Sequence, residues 1–177
     1  MGLSLIGVVT LAGSFNLSDI VEAQQRSVYY VFPQFIGFVV FLVAGFAETR
    51  RIPFDLVEAE SELVAGYQTE YSSMSFALFW LGEYANVILM AALNAILFWG
   101  GYLPPVDWAP LYLVPGIVWL FLKILIFFFI FSWVKATVPR YRYDQLMRLG
   151  WKIFLPLSLF WVFLVSGYLM VTRYHGV

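Results

Sequence analysis

Carboxylate side chains are concentrated in one segment of a chain that otherwise contains few charges. Residues 48–72 read ETRRIPFDLVEAESELVAGYQTEYS. The carboxylates of this acidic segment are Glu48, Asp55, Glu58, Glu60, Glu62 and Glu70. Clustered carboxylates repel one another, which raises the pKa of some members of such a cluster toward neutral. Because a group that holds or releases a proton near pH 7 suits proton transfer, the segment is a candidate for acid–base chemistry.

The pattern of the acidic segment predicts a helix close to a membrane. Pro53 is typical of a first helical turn, and Gly66 is expected to end the helix. At helical spacing one face carries Asp55, Glu58 and Glu62. A solvated acidic helix is the simpler interpretation of an isolated charge run. The apolar residues interleaved with the carboxylates favour partial burial instead; they are Leu56, Val57, Leu63 and Val64.

Two further ionisable residues interrupt long apolar segments. Glu83 lies in residues 73–98, and Lys123 lies in residues 111–134. Both are expected about 15–18 Å from the same membrane face, so they could pair across a helix interface. A charge at that depth is costly unless it is paired or hydrated. Two interpretations stay open: a buried pair that fixes helix register, and a pair of sites on a proton path.

A third ionisable segment is basic. Residues 135–148 read KATVPRYRYDQLMR. Its candidate site residues are Lys135, Arg140, Arg142 and Asp144. A positive anchor for anionic lipid headgroups explains most such segments. Because Tyr141 and Tyr143 alternate with the arginines, and Asp144 can hold one guanidinium, the segment could also line a site for a quinone head.

The composition indicates that membrane helices position these groups. Of the 177 residues, 62% are apolar and 12% are charged, against about 45–50% and about 25% in soluble domains. This composition argues against a soluble enzyme. The net charge of −1 argues against a nucleic-acid binder. With no cysteine and one histidine, we expect no metal site in this chain.

Four segments are long and apolar enough to cross a hydrocarbon layer of roughly 30 Å as helices. They are residues 27–47, 73–98, 111–134 and 153–172. Residues 1–13 are apolar but too short to span, and we expect them to be the end of an N-terminally truncated fifth helix. The predicted fold is therefore an all-α polytopic membrane protein, with residues 1–177 forming one membrane domain.

The distribution of basic residues predicts the orientation. Because successive spans alternate in direction, the acidic loop 48–72 and the basic loop 135–152 share one face. That face carries Arg50, Arg51, Lys135, Arg140, Arg142, Arg148 and Lys152, and the other carries Arg26 and Arg173. The excess predicts that both charged loops face the cytoplasm, or the matrix in a mitochondrion.

Both loops resemble those of one known family. The matching stretches are AETRRIPFDLVEAESELVAGY at 47–67, TEYS at 69–72, GEYAN at 82–86 and PRYRYDQLM at 139–147. They resemble the quinone-site membrane component of respiratory complex I, which is the H subunit of the bacterial NADH–quinone oxidoreductase and the first subunit of the mitochondrial NADH dehydrogenase. The resemblance extends over essentially the whole chain, which would correspond to the C-terminal half of that protein.

The resemblance implies a function in a proton-translocating NADH:quinone oxidoreductase of the mitochondrial or bacterial inner membrane. This chain would then contain no complete active site and bind no cofactor. Ubiquinone would be the substrate, and FMN and iron–sulfur clusters would lie on partner subunits. The implied partners are the quinone-module subunits of the hydrophilic arm, neighbouring membrane-arm subunits, the N-terminal half of the same subunit, and lipid.

The resemblance also implies residue roles. The proton path and its coupling would use Glu48, Asp55, Glu58, Glu60, Glu62, Glu70, Glu83 and Lys123. The quinone cavity would be near Arg50, Arg51, Lys135, Arg140, Arg142 and Asp144. The Lys135 position is often Arg in relatives, and Lys keeps the charge but not the bidentate geometry.

Two other classes remain as alternatives. The related membrane subunit of an energy-converting hydrogenase would use ferredoxin and no quinone, but the match of both loops argues against it. A secondary transporter or a pure scaffold subunit is the other alternative. A transporter predicts inverted repeats, and no internal repeat is visible in the sequence.

Overall fold

The structure is a computed structural model that describes residues 1–55, 74–105 and 113–174. Within these ranges the chain is helical and contains no β-strand, which confirms the predicted all-α polytopic fold. The helices are α1 (Gly2–Ala12), α2 (Leu17–Arg26), α3 (Phe35–Glu48), α4 (Met74–Phe98), α5 (Gly116–Thr137), α6 (Tyr143–Leu149) and α7 (Leu155–Tyr174). A π-helical turn, Gly150–Phe154, joins α6 to α7.

Three helical stretches in the described ranges are long and apolar enough to cross a membrane. They are α4, α5 and the continuous helix Tyr143–Thr172. The pair α1 and α2 passes the same test together, although the two helices are bent by 58°. The described part of the chain therefore has three such spans, or four if the bent pair counts as one.

The helix expected over 27–47 is shorter in the structure and begins at Phe35. Before it, the amide of Val31 donates to the Phe98 carbonyl at 3.0 Å. An amide bonded to another helix cannot join the i→i−4 ladder of its own segment. Pro33 has no amide to contribute. Residues 30–34 therefore form turns packed against the end of α4.

The bend between α1 and α2 has a local cause. Gly13 ends α1 in the left-handed conformation, with φ of 73°, and its amide bonds to the Val9 carbonyl. Asn16 then caps α2, because its side-chain oxygen accepts a hydrogen bond from the Ser18 amide at 3.3 Å. Helix α2 is amphipathic, and Ile20 lies on its buried side.

Small residues let α4 and α5 approach closely. Ala91 and Ala95 of α4 are fully buried against Phe127 of α5. Small residues at a helix interface allow this close packing in membranes, where lipid tails are as apolar as the side chains. Many other apolar residues face outward; Phe129, for example, is 66% exposed. Such exposure fits a lipid-facing surface.

A buried amide ties three helices together. Gln34, which is 1% exposed, donates from Nε2 to the Gly7 carbonyl at 3.2 Å. Its Oε1 accepts a hydrogen bond from Nε1 of Trp161 at 2.6 Å. This contact connects the start of α3 to α1 and α7. A Cβ at Gly37 would lie 3.0 Å from Gln34 Oε1, which is closer than an ordinary van der Waals contact.

We therefore expect Gly37→Ala to lower the free energy of unfolding by about 1–3 kcal/mol, because the added methyl displaces the Gln34–Trp161 hydrogen bond. Gly167→Ala is the matched control, since a Cβ at Gly167 meets no atom within 4 Å. Thermal unfolding of the full chain in detergent measures the effect. Equal midpoints for the two variants would contradict the packing role of Gly37.

Candidate functional site

Ionisable side chains from separate parts of the sequence meet at one end of the bundle. We call it the charged end; α3 and α5 finish there, and it contains Arg51, Asp55, Glu83, Lys135 and Arg140. The other end, where α4 finishes, is called the opposite end. The charged end thus combines groups from the acidic loop, from α4 and from the basic segment.

An ion pair joins the start of the acidic loop to α4. Arg51 Nη2 lies 3.6 Å from Oε1 of Glu83, and the two side chains are 10% and 33% exposed. The guanidinium carbon also lies 4.7 Å from the centre of the Tyr84 ring, which gives a cation–π contact. Arg51 therefore has both a charge partner and an aromatic partner on α4.

A second contact joins the acidic loop to the basic segment. Asp55 is 2% exposed, and its Oδ2 lies 4.0 Å from Nη2 of Arg140. Beside this pair, the Tyr141 amide donates to the Pro53 carbonyl at 3.0 Å. The rings of Phe54 and Tyr141 are stacked, with centroids 5.8 Å apart and planes 12° apart. Sequence reasoning missed this aromatic contact.

The predicted helical start of the acidic segment at Pro53 is wrong. The Ile52–Pro53 bond is cis, and the Phe54 amide bonds to the Arg51 carbonyl at 2.8 Å, which closes a turn instead of a helix. Four of the predicted carboxylates lie outside the described residues: Glu58, Glu60, Glu62 and Glu70.

The remaining predicted residues at this end are exposed. Glu48 ends α3, and Arg50 follows in the left-handed region with φ of 50°. Arg142 precedes the first turn of α6, and its amide donates to Oε1 of Gln145 at 3.2 Å. Asp144 lies in that first turn, where the helix dipole favours a carboxylate.

A cavity of about 180 Å³ opens between α4 and α5 at the charged end. Its lining residues are Arg51, Tyr84, Val87, Phe128, Phe131, Ser132 and Lys135. Among the described residues, Arg51 Nη2 has no hydrogen-bond partner, although it is buried. The cavity therefore combines the ion-paired guanidinium of Arg51 and a second cation, Lys135, with an aromatic wall.

Two larger cavities differ in chemistry. One of about 990 Å³ lies at the opposite end, where Glu22 and Arg26 of its lining form an exposed ion pair. One of about 290 Å³, between α1, α3, α6 and α7, is almost wholly apolar. Neither is lined by a buried cation that lacks a hydrogen-bond partner among the described residues. The chemistry, rather than the volume, therefore distinguishes the Arg51 cavity.

The predicted Glu83–Lys123 pair does not form in the structure, because Glu83 pairs with Arg51 instead. Lys123 Nζ donates to the carbonyls of Trp99, at 2.5 Å, and Leu103, at 2.7 Å. Helical side chains point toward the N-terminus of their helix, and the N-terminus of α5 lies at the opposite end. Lys123 therefore extends away from Glu83.

Two side chains and one backbone amide satisfy the carbonyls at the end of α4. A helix leaves its last four carbonyls without partners inside the helix. Here Gln24 Nε2 donates to the carbonyls of Ile96 and Leu97 at 3.1 and 3.2 Å. The Val31 amide donates to the Phe98 carbonyl at 3.0 Å, and Lys123 donates to the Trp99 carbonyl. Sequence reasoning missed Gln24. The feature that could have indicated its role is the presence of a polar residue on the apolar face of α2.

Comparison with known proteins gives one consistent result. A family model described as NADH dehydrogenase matches residues 1–166. The chain is 71% identical to the NADH-quinone oxidoreductase H subunit of Sphingopyxis alaskensis, covering 98% of this chain and 52% of the relative. It is 72% identical to the H subunit of Rhizorhabdus wittichii, with the same coverage.

A third relative, the H subunit from Rhodospirillum rubrum, is 64% identical and is matched over 96% of this chain and 50% of its own length. The chain spans about half the length of the curated relatives it matches. The motifs around Arg51, Glu83 and Arg140 that first suggested the resemblance lie within the matched residues. The chain belongs to the NADH dehydrogenase family, and its relatives include the H subunits of bacterial NADH-quinone oxidoreductases.

Proposed function

We propose that the chain is part of the membrane subunit of a proton-translocating NADH:quinone oxidoreductase, and that its charged end couples quinone reduction to proton transfer. One observation carries the proposal beyond family membership. The Arg51–Glu83 and Asp55–Arg140 contacts bring three segments together that are distant in sequence. A change of charge in the acidic loop therefore acts on both of the other segments.

The cavity beside Arg51 supplies what a quinone head requires. The guanidinium of Arg51 lines the cavity and can donate a hydrogen bond to a quinone carbonyl, and Lys135 at the rim adds a second donor. Tyr84, Phe128 and Phe131 provide an aromatic wall. We place the quinone head in this cavity, with Arg50, Arg140, Arg142 and Asp144 completing the charged surroundings.

The proposed coupling is electrostatic. Reduction of a quinone to a quinol takes up two electrons, which would arrive from the hydrophilic arm, and two protons. The quinol is neutral like the quinone, so the charge beside Arg51 changes on the side chains that give up those protons. This change of charge alters the strength of the Arg51–Glu83 ion pair, and Glu83 exchanges a proton in response. The path would continue through the remaining predicted groups: Glu48, Asp55, Glu58, Glu60, Glu62, Glu70 and Lys123.

We further propose that the charged end faces the cytoplasm of a bacterium, or the matrix of a mitochondrion, because basic residues accumulate on that side. The bacterial relatives favour the bacterial inner membrane. Electrons would arrive from NADH through FMN and iron–sulfur clusters on hydrophilic-arm subunits. Neighbouring membrane subunits, the other half of the same subunit, and lipid would surround the chain.

Lys135→Gln in the assembled complex is the experiment that tests the quinone site. Loss of one charged donor is expected to raise the KM for quinone about tenfold, with a smaller change in kcat. Lys152→Gln is the matched control, because Lys152 is also exposed but lies outside the cavity. NADH oxidation by ferricyanide, which bypasses the quinone, should stay constant in both variants. Equal KM values for the two variants would contradict the assignment.

A further inference from the structure

One face of α5 forms a wall of the cavity beside Arg51. Phe128, Ser132 and Lys135 recur along this face at spacings of four and three residues, and all three line the cavity. Ser132 therefore places a hydroxyl group between an aromatic ring and a cation of the proposed quinone site.

The proton of the Ser132 hydroxyl is already used within α5. Oγ of Ser132 donates to the Phe128 carbonyl at 3.0 Å. A serine hydroxyl has one proton and two lone pairs, so this hydrogen bond uses the donor and leaves the oxygen able to accept. Ser132 therefore offers the cavity a hydrogen-bond acceptor and no donor.

The other polar side chains that line the cavity differ from Ser132 in hydrogen-bonding character. Arg51 and Lys135 are donors without an acceptor atom, and the phenol of Tyr84 can act as either. A quinone carbonyl only accepts hydrogen bonds, whereas a quinol hydroxyl can also donate one. The two cations can therefore bind both forms of the head, but the acceptor on Ser132 can pair only with the quinol.

We infer that Ser132 makes the cavity favour the reduced form of its ligand, because its Oγ accepts a hydrogen bond from a quinol hydroxyl. This inference rests on the proposed function, which places the quinone head in this cavity. Ser132 binds the ligand and keeps its own proton, so it takes no part in the transfer of electrons or protons. Tighter binding of the quinol makes the product a stronger inhibitor of quinone reduction.

Ser132→Ala in the assembled complex tests the inference, with a short-chain ubiquinone as substrate and its quinol as inhibitor. Loss of one neutral hydrogen bond should raise the inhibition constant of the quinol about fivefold, while the KM for the quinone stays constant or falls. Thr137→Val is the matched control. Thr137 Oγ1 donates to the Trp133 carbonyl at 2.9 Å on the same helix and is also exposed, but Thr137 does not line the cavity.

Three results would overturn the inference. An unchanged inhibition constant in Ser132→Ala, together with a raised KM in Lys135→Gln, refutes the role of Ser132 but leaves the proposed quinone site in place. Unchanged constants in both variants refute both. Equal changes of the inhibition constant in Ser132→Ala and Thr137→Val would show that the loss of a helical hydroxyl, and not a contact with the quinol, causes the effect.

Discussion

Lys123→Met is expected to lower the free energy of unfolding by about 2–5 kcal/mol and to reduce the amount of assembled complex. The ammonium group is buried and bonds to the carbonyls of Trp99 and Leu103 at 2.5 and 2.7 Å. Methionine fills a similar volume but leaves both carbonyls without a donor. The loss of hydrogen bonds outweighs the relief from burying a charge, because the carbonyls remain buried.

The control for this substitution is Lys152→Met. Lys152 is also a lysine on a membrane helix, but it is exposed. Thermal unfolding and the yield of purified complex measure both variants. The contribution of Lys123 also depends on the cation–π contact with Tyr29, whose ring centre lies 5.7 Å from Nζ. Equal stability of the two methionine variants would show that Lys123 does not hold the end of α4.

Glu83→Gln is expected to lower NADH:quinone activity about tenfold or more, which corresponds to about 1.4 kcal/mol or more in the activation barrier. Glutamine keeps the shape of the side chain but removes the carboxylate that the proposed coupling requires. It also leaves the buried Arg51 without its carboxylate. NADH oxidation by ferricyanide should persist, because it does not use the quinone.

The chain provides a matched control for Glu83→Gln. Glu22 pairs with Arg26 at 3.6 Å, the same distance as Glu83 to Arg51, but the two side chains are 55% and 83% exposed. Surface ion pairs of this kind contribute roughly 0–1 kcal/mol. Glu22→Gln should therefore leave quinone reduction unchanged. Simultaneous loss of both NADH activities in Glu83→Gln would indicate failed assembly instead of a coupling defect.

The long spans were predictable from sequence because continuous apolar runs of this length have few alternatives in lipid. Helices α4 and α5 lie close to the predicted segments. The start of α3 was not predictable, because it depends on the bond from the Val31 amide to the Phe98 carbonyl. That contact joins distant segments, and no local pattern signals it.

The candidate site was predictable in residue type but not in pairing. Sequence indicated Glu83 as an important charge, and its depth in the membrane made Lys123 a possible partner. The direction of helical side chains sends Lys123 to the end of α4, and the chain turn after α3 brings Arg51 to Glu83. Pairing depends on such directions and on tertiary contacts, which residue spacing does not contain.

The most direct test of coupling at the charged end is the number of protons pumped per electron by the Glu83→Gln complex in proteoliposomes. The Glu22→Gln complex is the control, and the two are compared at equal rates of electron transfer. If Glu83 exchanges the proton that couples quinone reduction to pumping, the ratio falls in Glu83→Gln and stays normal in the control. An unchanged ratio in Glu83→Gln would contradict the claim that the charged end of this chain carries the coupling.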